Sequence, residues 1–372
     1  MKTFSLLFFS FFILSCQAQL KTNNEIPLQD ETKNYRLETV VDGINNPWAI
    51  AFLPDGSMLV TEKSGVLFHI IKGIKTEVKN VPVVYNRGQG GLLDIVLHPD
   101  YAKNGWIYIT YASSEGEGVG GNTKLIRAKL EHESLTQIES LYKCEPNTTK
   151  GQHFGSRIVF DNHGYLYFSA GDRGNHFVNP QDITRDNGKI YRLNDDGSIP
   201  KDNPFVGKEN AKSAIYSYGH RNPQGLAIHP TTGAIWEHEH GPQGGDEINI
   251  IKKAANYGWP VVTYGIDYDN SIISTEQQKS GIENPIYYWA PSIAPCGMTF
   301  VTSDKYPDWK GHLLVGSLKF QYLELVKLDN EKIIGRQKIA TDIGRLRSVK
   351  QGPDGYIYIG VEGKGILKII PN

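Results

Sequence analysis

Four groups of residues in this 372-residue sequence have types and spacings that could do chemistry. His153 stands just before one apolar run, and Asp172, in GDRG (Gly171 to Gly174), just after the run that returns. An antiparallel pair would bring both to one end of a hairpin. There the carboxylate would orient the imidazole and raise its basicity, as a general base requires; a structural His–Asp bond in a turn has the same spacing. In YGHRNPQG, the proline after Asn222 forces an extended or turn geometry that could present Arg221 and Asn222 at a loop mouth. Arg221 stacked on a tyrosine in a surface turn is the plainer alternative.

The segment WEHEHGPQGGDEINIIKKAANYGWP (Trp236 to Pro260) places His238 and His240 on one face of an extended strand and Glu237 and Glu239 on the other. Zinc is conceivable, but there is no H-E-x-x-H helix pattern and no cysteine pair. The glycines and Pro242 suggest exposed carbonyls, and Asp246 and Glu247 add carboxylates, an oxygen-rich set that suits Ca²⁺ better. Finally, Lys319 in GSLKF and Arg345 and Arg347 in GRLRSV are separated cations at repeat edges. If they converge they suit a polycarboxylate or phosphate ligand; otherwise they are unrelated surface patches.

The elements that must position these residues are short strands. One pattern occurs six times: an apolar strand, a turn of His-Pro-Asp, Pro-Asp-Gly or Asn-His-Gly type, and a second strand rich in Tyr, Ile and Val. The copies run over 48–62, 92–111, 156–172, 225–239, 297–317 and 346–362. Alternation in the flanks marks half-buried strands, and each copy with its surroundings is long enough for a four-stranded blade. An all-β, six-bladed β-propeller with four-stranded antiparallel blades is expected, as one domain over 36–372. The stretches 174–213 and 266–283 are expected to be loops on one face. The 39 Gly and 20 Tyr against 3 Met agree with many turns and strands, and no long amphipathic helix supports an α/β barrel. Lys+Arg 39 against Asp+Glu 40 excludes sequence-independent attraction to nucleic acid.

The N-terminus reads as an export signal. Residues 1–15 hold one early lysine and an apolar run too short to span a bilayer, ending in Leu14-Ser15-Cys16. Cys16 is then the lipidated first residue of a lipoprotein, and 16–35 a tether; cleavage after Ala18, giving a soluble exported protein, is the alternative. The expected location is the periplasm or outer membrane, with the membrane touched only through the lipid. Cys144 and Cys296 are expected to be buried thiols.

Taken together, GQGGLLDIVLHPDY, HFGSRIVFD, GDRG, YGHRNPQGL, HEHGPQGGDEIN with NYGWP, GSLK and RLRSV resemble the pyrroloquinoline quinone (PQQ)-dependent glucose/sorbosone dehydrogenases, most closely their soluble aldose sugar dehydrogenase branch, from about Tyr35 to Ile370. The resemblance implies PQQ across the channel mouth and Ca²⁺. It makes His153 the base for the anomeric hydroxyl, Asp172 its orienting partner, and Gln89, Arg221 and Asn222 neighbours of cofactor and substrate. Lys319, Arg345 and Arg347 would neutralise the cofactor's carboxylates. The carbonyls of Gly241 and Pro242 would ligate the cofactor's calcium, and Glu247, Tyr257 and Asp267 a second calcium. Trp289 would stack on the sugar. The chain departs from the glucose dehydrogenase branch at Gln152, where that branch has Asp, at His240, where it has Gln, and around Cys296; its large insertions are not evident. The implied substrate is an aldose, with the electron acceptor unknown and monomer or dimer both open. A calcium-dependent propeller lactonase and a non-catalytic carbohydrate-binding propeller are the rival readings.

Overall fold

The computed structural model describes residues 26–372, so the leader, residues 1–15, and Cys16 lie outside the described residues. Each repeat forms a hairpin, and the turn chemistry shows why. In the first, Gly56 takes φ +84° and the Asp55 carboxylate accepts the Ser57 N–H at 2.9 Å, so Pro47–Phe52 turns back on Met58–Glu62. The other hairpins pair Leu92–Leu97 with Ile107–Ser113, Ile158–Phe160 with Leu166–Ala170, and Pro223–Ile228 with Ile235–Glu239. Pro295–Phe300 pairs with Leu313–Ser317, and Leu346–Gln351 with Ile357–Val361.

Two further strands complete each sheet, giving six antiparallel blades, numbered 1 to 6 in the order of these hairpins. First strands of adjacent blades touch all the way round, blade 6 against blade 1 included, which closes the expected six-bladed propeller around a channel. Blade 6 takes its outer strand from the other end of the chain, where Tyr35–Val41 pairs with Gly365–Pro371. Tyr101–Asn104 is the only helix among the described residues, none of which forms a helix long and apolar enough to cross a membrane.

Three expectations change. The segment expected to be a tether is bound to the propeller over its last residues. Leu28–Gln29 adds a fifth, parallel strand to blade 5 beside Arg336 and Gln337, and the Glu31 carboxylate accepts the Ala340 N–H at 2.8 Å. The stretch 174–213 is not all loop, because Lys189–Leu193 within it is the third strand of blade 3. Finally, the inner strands are buried on both faces. Consecutive residues Tyr108 and Ile109 face different apolar wedges, one between blades 2 and 3 and the other between blades 1 and 2. A sheet covered on both sides keeps an unbroken apolar strand.

The channel is plugged by one side chain. Arg157 of blade 3 donates from Nε to Gln224 O of blade 4 (2.8 Å), and from Nη2 to Arg347 O of blade 6 (2.8 Å) and Cys296 Sγ of blade 5 (3.4 Å). Its Nη1 reaches Trp48 O of blade 1 (3.4 Å) and Asp94 of blade 2 (3.5 Å), and the guanidinium lies 3.8 Å over the Trp48 ring. Cys296 and Cys144 are free and buried, as expected. Arg157→Met should lower stability by about 3–5 kcal/mol, because it leaves Asp94 buried without its cation. Chemical denaturation checks this, and an unchanged midpoint would show that the plug is dispensable.

Candidate active site

His153 and Asp172 meet as their spacing predicts. Nδ1 of His153 is 2.6 Å from Asp172 Oδ1. Asp172 is fully buried and also accepts the Gly174 N–H (2.6 Å) and the Trp259 indole N–H (2.8 Å). Burial pushes the Asp172 carboxyl up, but His153, Arg221 and the Gly174 N–H outweigh it and hold the pKa at about 2. An ionised carboxylate only accepts, so the proton of neutral His153 sits on Nδ1 and the lone pair on Nε2. Burial, then the Arg221 charge, keep the imidazole pKa below its ordinary value. The ring is therefore a neutral base across the physiological range.

The backbone that carries this histidine is unusual. His153 has φ +57°, and its N–H donates to Gln89 Oε1 at 2.8 Å. A Cβ on Gly171 would lie 2.5 Å from His153 O, and one on Gly88 2.2 Å from Gly151 O. Those two glycines of GDRG and GQGG let three loops close on one another. Arg173 holds the same loop from inside, donating to Gly121 O (3.2 Å), Lys150 O (2.6 Å) and Gln152 O.

Beside this pair lies a cavity of about 260 Å³ whose wall includes Gln89, Asn222, His240, Tyr268, Arg345 and Arg347. Arg345 and Arg347 share Glu362, with Nε to carboxylate distances of 2.9 and 2.5 Å, so they converge as expected. Lys63 joins them, bonded to the carbonyls of Gly88 (3.0 Å) and Gly90 (3.2 Å). Asn222 Nδ2 and Arg221 Nε are buried donors without partners. Lys319 is not brought to this wall; it is exposed, with Nζ 5.3 Å over Phe320. Nor is Trp289, which is 2 % exposed and donates its indole N–H to Glu324 at 3.2 Å. An indole packed between blades has no free face for a sugar. Tyr268, 68 % exposed, is the solvent-exposed aromatic of a cavity whose wall also includes the buried rings of Trp48 and Phe154.

A second, ion-sized void of about 10 Å³ lies among Arg221, Glu239, Gly241, Gly245, Glu247, Tyr257 and Thr263. Burial, then Glu239, raise the Glu247 carboxyl well above its ordinary range. Glu247 and Tyr257 thus stand together as expected, but Asp267 is not among the lining residues; its carbonyl accepts Gln243 Nε2 at 2.7 Å in a separate turn. The Tyr257 hydroxyl is committed to Ile250 O (2.7 Å) and the Lys252 N–H (2.8 Å), so any part in an ion site falls to its main chain. Gly241 O already accepts Arg221 Nη1 at 2.9 Å, which sets a guanidinium beside one of the two carbonyls expected to hold the cofactor's ion. Pro242, the other, is buried next to it.

The sequence profile of the Glucose / Sorbosone dehydrogenase family matches residues 44–368. The aldose sugar dehydrogenase of Escherichia coli K12 is 41% identical over 345 residues, covering 90% of this chain and 92% of its own. The chain belongs to the glucose/sorbosone dehydrogenase family. Among solved structures, the apo form of the soluble E. coli aldose sugar dehydrogenase superposes with TM-score 0.86 at 38% identity, covering 91% of this chain and 100% of that one. The PQQ-bound aldose sugar dehydrogenase of Streptomyces coelicolor superposes at 0.75 with 27% identity, covering 93% and 99%.

For this family member, sequence reasoning missed Trp259, Arg157, Lys63 and Glu362 as site-builders. Trp259 lay inside NYGWP, a motif already singled out, but only the fold brings its N–H to Asp172. One consequence is measurable without any substrate. Nitrogen-15 NMR of histidine-labelled protein should show His153 protonated at Nδ1 and bare at Nε2. Its midpoint should lie below 6.5 and fall further in Asp172→Asn, since the lost negative charge favoured the protonated ring. A midpoint that rises or stays put would contradict this pairing.

Proposed function

We propose that this exported propeller oxidises aldoses at C1 to the lactone, dependent on PQQ and Ca²⁺, with His153 as general base. The observation that carries the reading is an Asp172-oriented imidazole whose backbone N–H is held by Gln89, a residue lining a cavity that also offers the unpaired Asn222 amide and two arginines. Acceptor-rich, tricarboxylated PQQ suits that wall: Arg345 and Arg347 would take its carboxylates, Asn222 Nδ2 and Arg221 Nε are donors lacking acceptors, and Gln89 borders the same space. The void at Glu239 and Glu247, with carbonyls of Gly241 and Tyr257 nearby, has the oxygen donors that Ca²⁺ prefers. Lys319 would join the carboxylate set only by swinging from Phe320.

When bound, PQQ supplies the two-electron acceptor for the hydride leaving C1. The chain's own residues do the rest. His153 Nε2 takes the proton of the C1 hydroxyl, and Asp172 stabilises the imidazolium that results while Trp259 and Gly174 keep the carboxylate in place. Arg221, fixed by His240 O (3.1 Å) and Gly241 O (2.9 Å), puts a positive charge where negative charge develops. Gln89 holds the His153 backbone, and exposed Tyr268 offers a face for a pyranose ring. Export with a lipid at Cys16, a tether beginning there and the propeller beyond it complete the proposal, in the periplasm or at the outer membrane.

Purified protein given PQQ and Ca²⁺ should reduce a redox dye with aldoses and should not hydrolyse lactones. Lactone hydrolysis alone would favour the lactonase, and sugar binding with neither activity the carbohydrate-binding propeller. His153→Ala should keep PQQ affinity and lose about 10²–10⁴-fold in turnover; equal turnover would identify a different base. The acid limb of kcat/KM should lie below pH 6.5, because only neutral His153 is a base and its pKa is depressed. Arg345→Ala with Arg347→Ala should weaken PQQ binding at least about tenfold, as each charge-assisted hydrogen bond is worth about 1.5–3 kcal/mol.

A further inference from the structure

Along the strand Ile235–Glu239, side chains alternate, so Glu237 and Glu239 share one face and His238 the other. The imidazoles of His238 and His240 are committed elsewhere, facing Gly297 O (3.3 Å) and Pro295 O (2.6 Å). The carboxylates meet a different histidine, His220, which arrives from the loop before blade 4. One ligand atom from each of His220, Glu237 and Glu239 lies within 4.8 Å of the others. All three residues are buried, at 0, 0 and 4 % exposure.

The polar inventory at this place does not close. Glu237 Oε1 and Asn249 Oδ1 are both buried acceptors without partners. Turning the Asn249 amide does not help, since its Nδ2 already donates to Glu237 Oε2 at 3.1 Å. His220 Nε2 is 2.9 Å from Ser217 Oγ and Nδ1 is 3.2 Å from Glu239 Oε1; in the metal-free protein Nδ1–H serves Glu239, and a metal ion would take the place of that proton. Among the described residues no lysine or arginine pairs with Glu237. Glu237 Oε1 and Asn249 Oδ1 are thus buried acceptors left without a donor beside Glu239, which is costly in a low-dielectric interior.

We propose that His220, Glu237 and Glu239 bind a divalent transition-metal ion of the Zn²⁺ or Mn²⁺ class, at a site that shares Glu239 with the oxygen-lined void beside Glu247 but takes its nitrogen from His220. The imidazole nitrogen makes the choice, because Ca²⁺ takes oxygen donors while nitrogen with carboxylate suits first-row metals. The ion fastens the cofactor wall from behind. Glu239 Oε2 accepts the backbone N–H groups of Arg221 and Asn222, so a metal on Glu239 Oε1 fixes the loop that presents both side chains.

Untagged protein freed of metal with EDTA, and without PQQ, isolates this site from the dehydrogenase reading. Titration with Zn²⁺ and with Mn²⁺ should show one calorimetric site that Glu247→Gln leaves intact and that Glu237→Gln and His220→Gln each weaken at least about tenfold. Crystals soaked in Zn²⁺ should give anomalous density between the three side chains of the unmutated protein, whether or not the variants fold. Binding that Glu237→Gln leaves unchanged, or density only beside Glu247, would overturn the site and leave a proton on Glu237 as the answer to its missing partner. So would Ca²⁺ displacing Zn²⁺ at equal concentration.

Discussion

The structure depends on the guanidinium of Arg157 at the axis of the propeller. A ring of six sheets has a hole where the first strands converge, and the polar atoms at their bends point into it. Arg157 takes acceptors from all five other blades, with Trp48 beneath its plane. A planar five-donor group suits this better than lysine, since its N–H vectors leave in fixed, divergent directions. Asp94 supplies the counter-charge and also accepts the Ile158 N–H at 2.8 Å, so the charge is neutralised next to the strand that bears it.

With the axis plugged, each blade stands on its neighbours through an apolar wedge, and the site is built where the strands end. The loops there are held by contacts that no side chain could interrupt: Gly88 against Gly151, and Gly171 against His153. That rigidity lets a histidine persist at φ +57° with both its backbone and its Nδ1 engaged. The imidazole is therefore oriented before any ligand arrives.

The loop from Ser217 to Asn222 separates two regions of opposite polar imbalance. On one side are donors without acceptors, Asn222 Nδ2 and Arg221 Nε; on the other are acceptors without donors, Glu237 Oε1 and Asn249 Oδ1. Buried polar groups are almost always paired. Donor and acceptor excesses joined through Glu239 suit an anion-rich ligand on one side of the loop and a cation on the other. Glu239 links the two regions, since its carboxylate meets His220 with one oxygen and the Arg221 and Asn222 backbone with the other.

Much of this was legible in the residues alone. Six hairpins follow from turn residues and strand length, which are local, and each repeat is indeed the inner pair of a blade. The His153–Asp172 contact was also readable, because one hairpin separates them and antiparallel pairing is nearly deterministic over that distance. The burial of Trp289 was not: only packing sets its indole against Glu324 and leaves Tyr268 exposed at the cavity. Likewise His220, 17 residues before Glu237 by numbering, joins the carboxylates where strand alternation turns His238 and His240 away. Local chemistry decides the elements and the ends they present; which side chains from different blades share one volume is a matter of closure, and no local pattern encodes that.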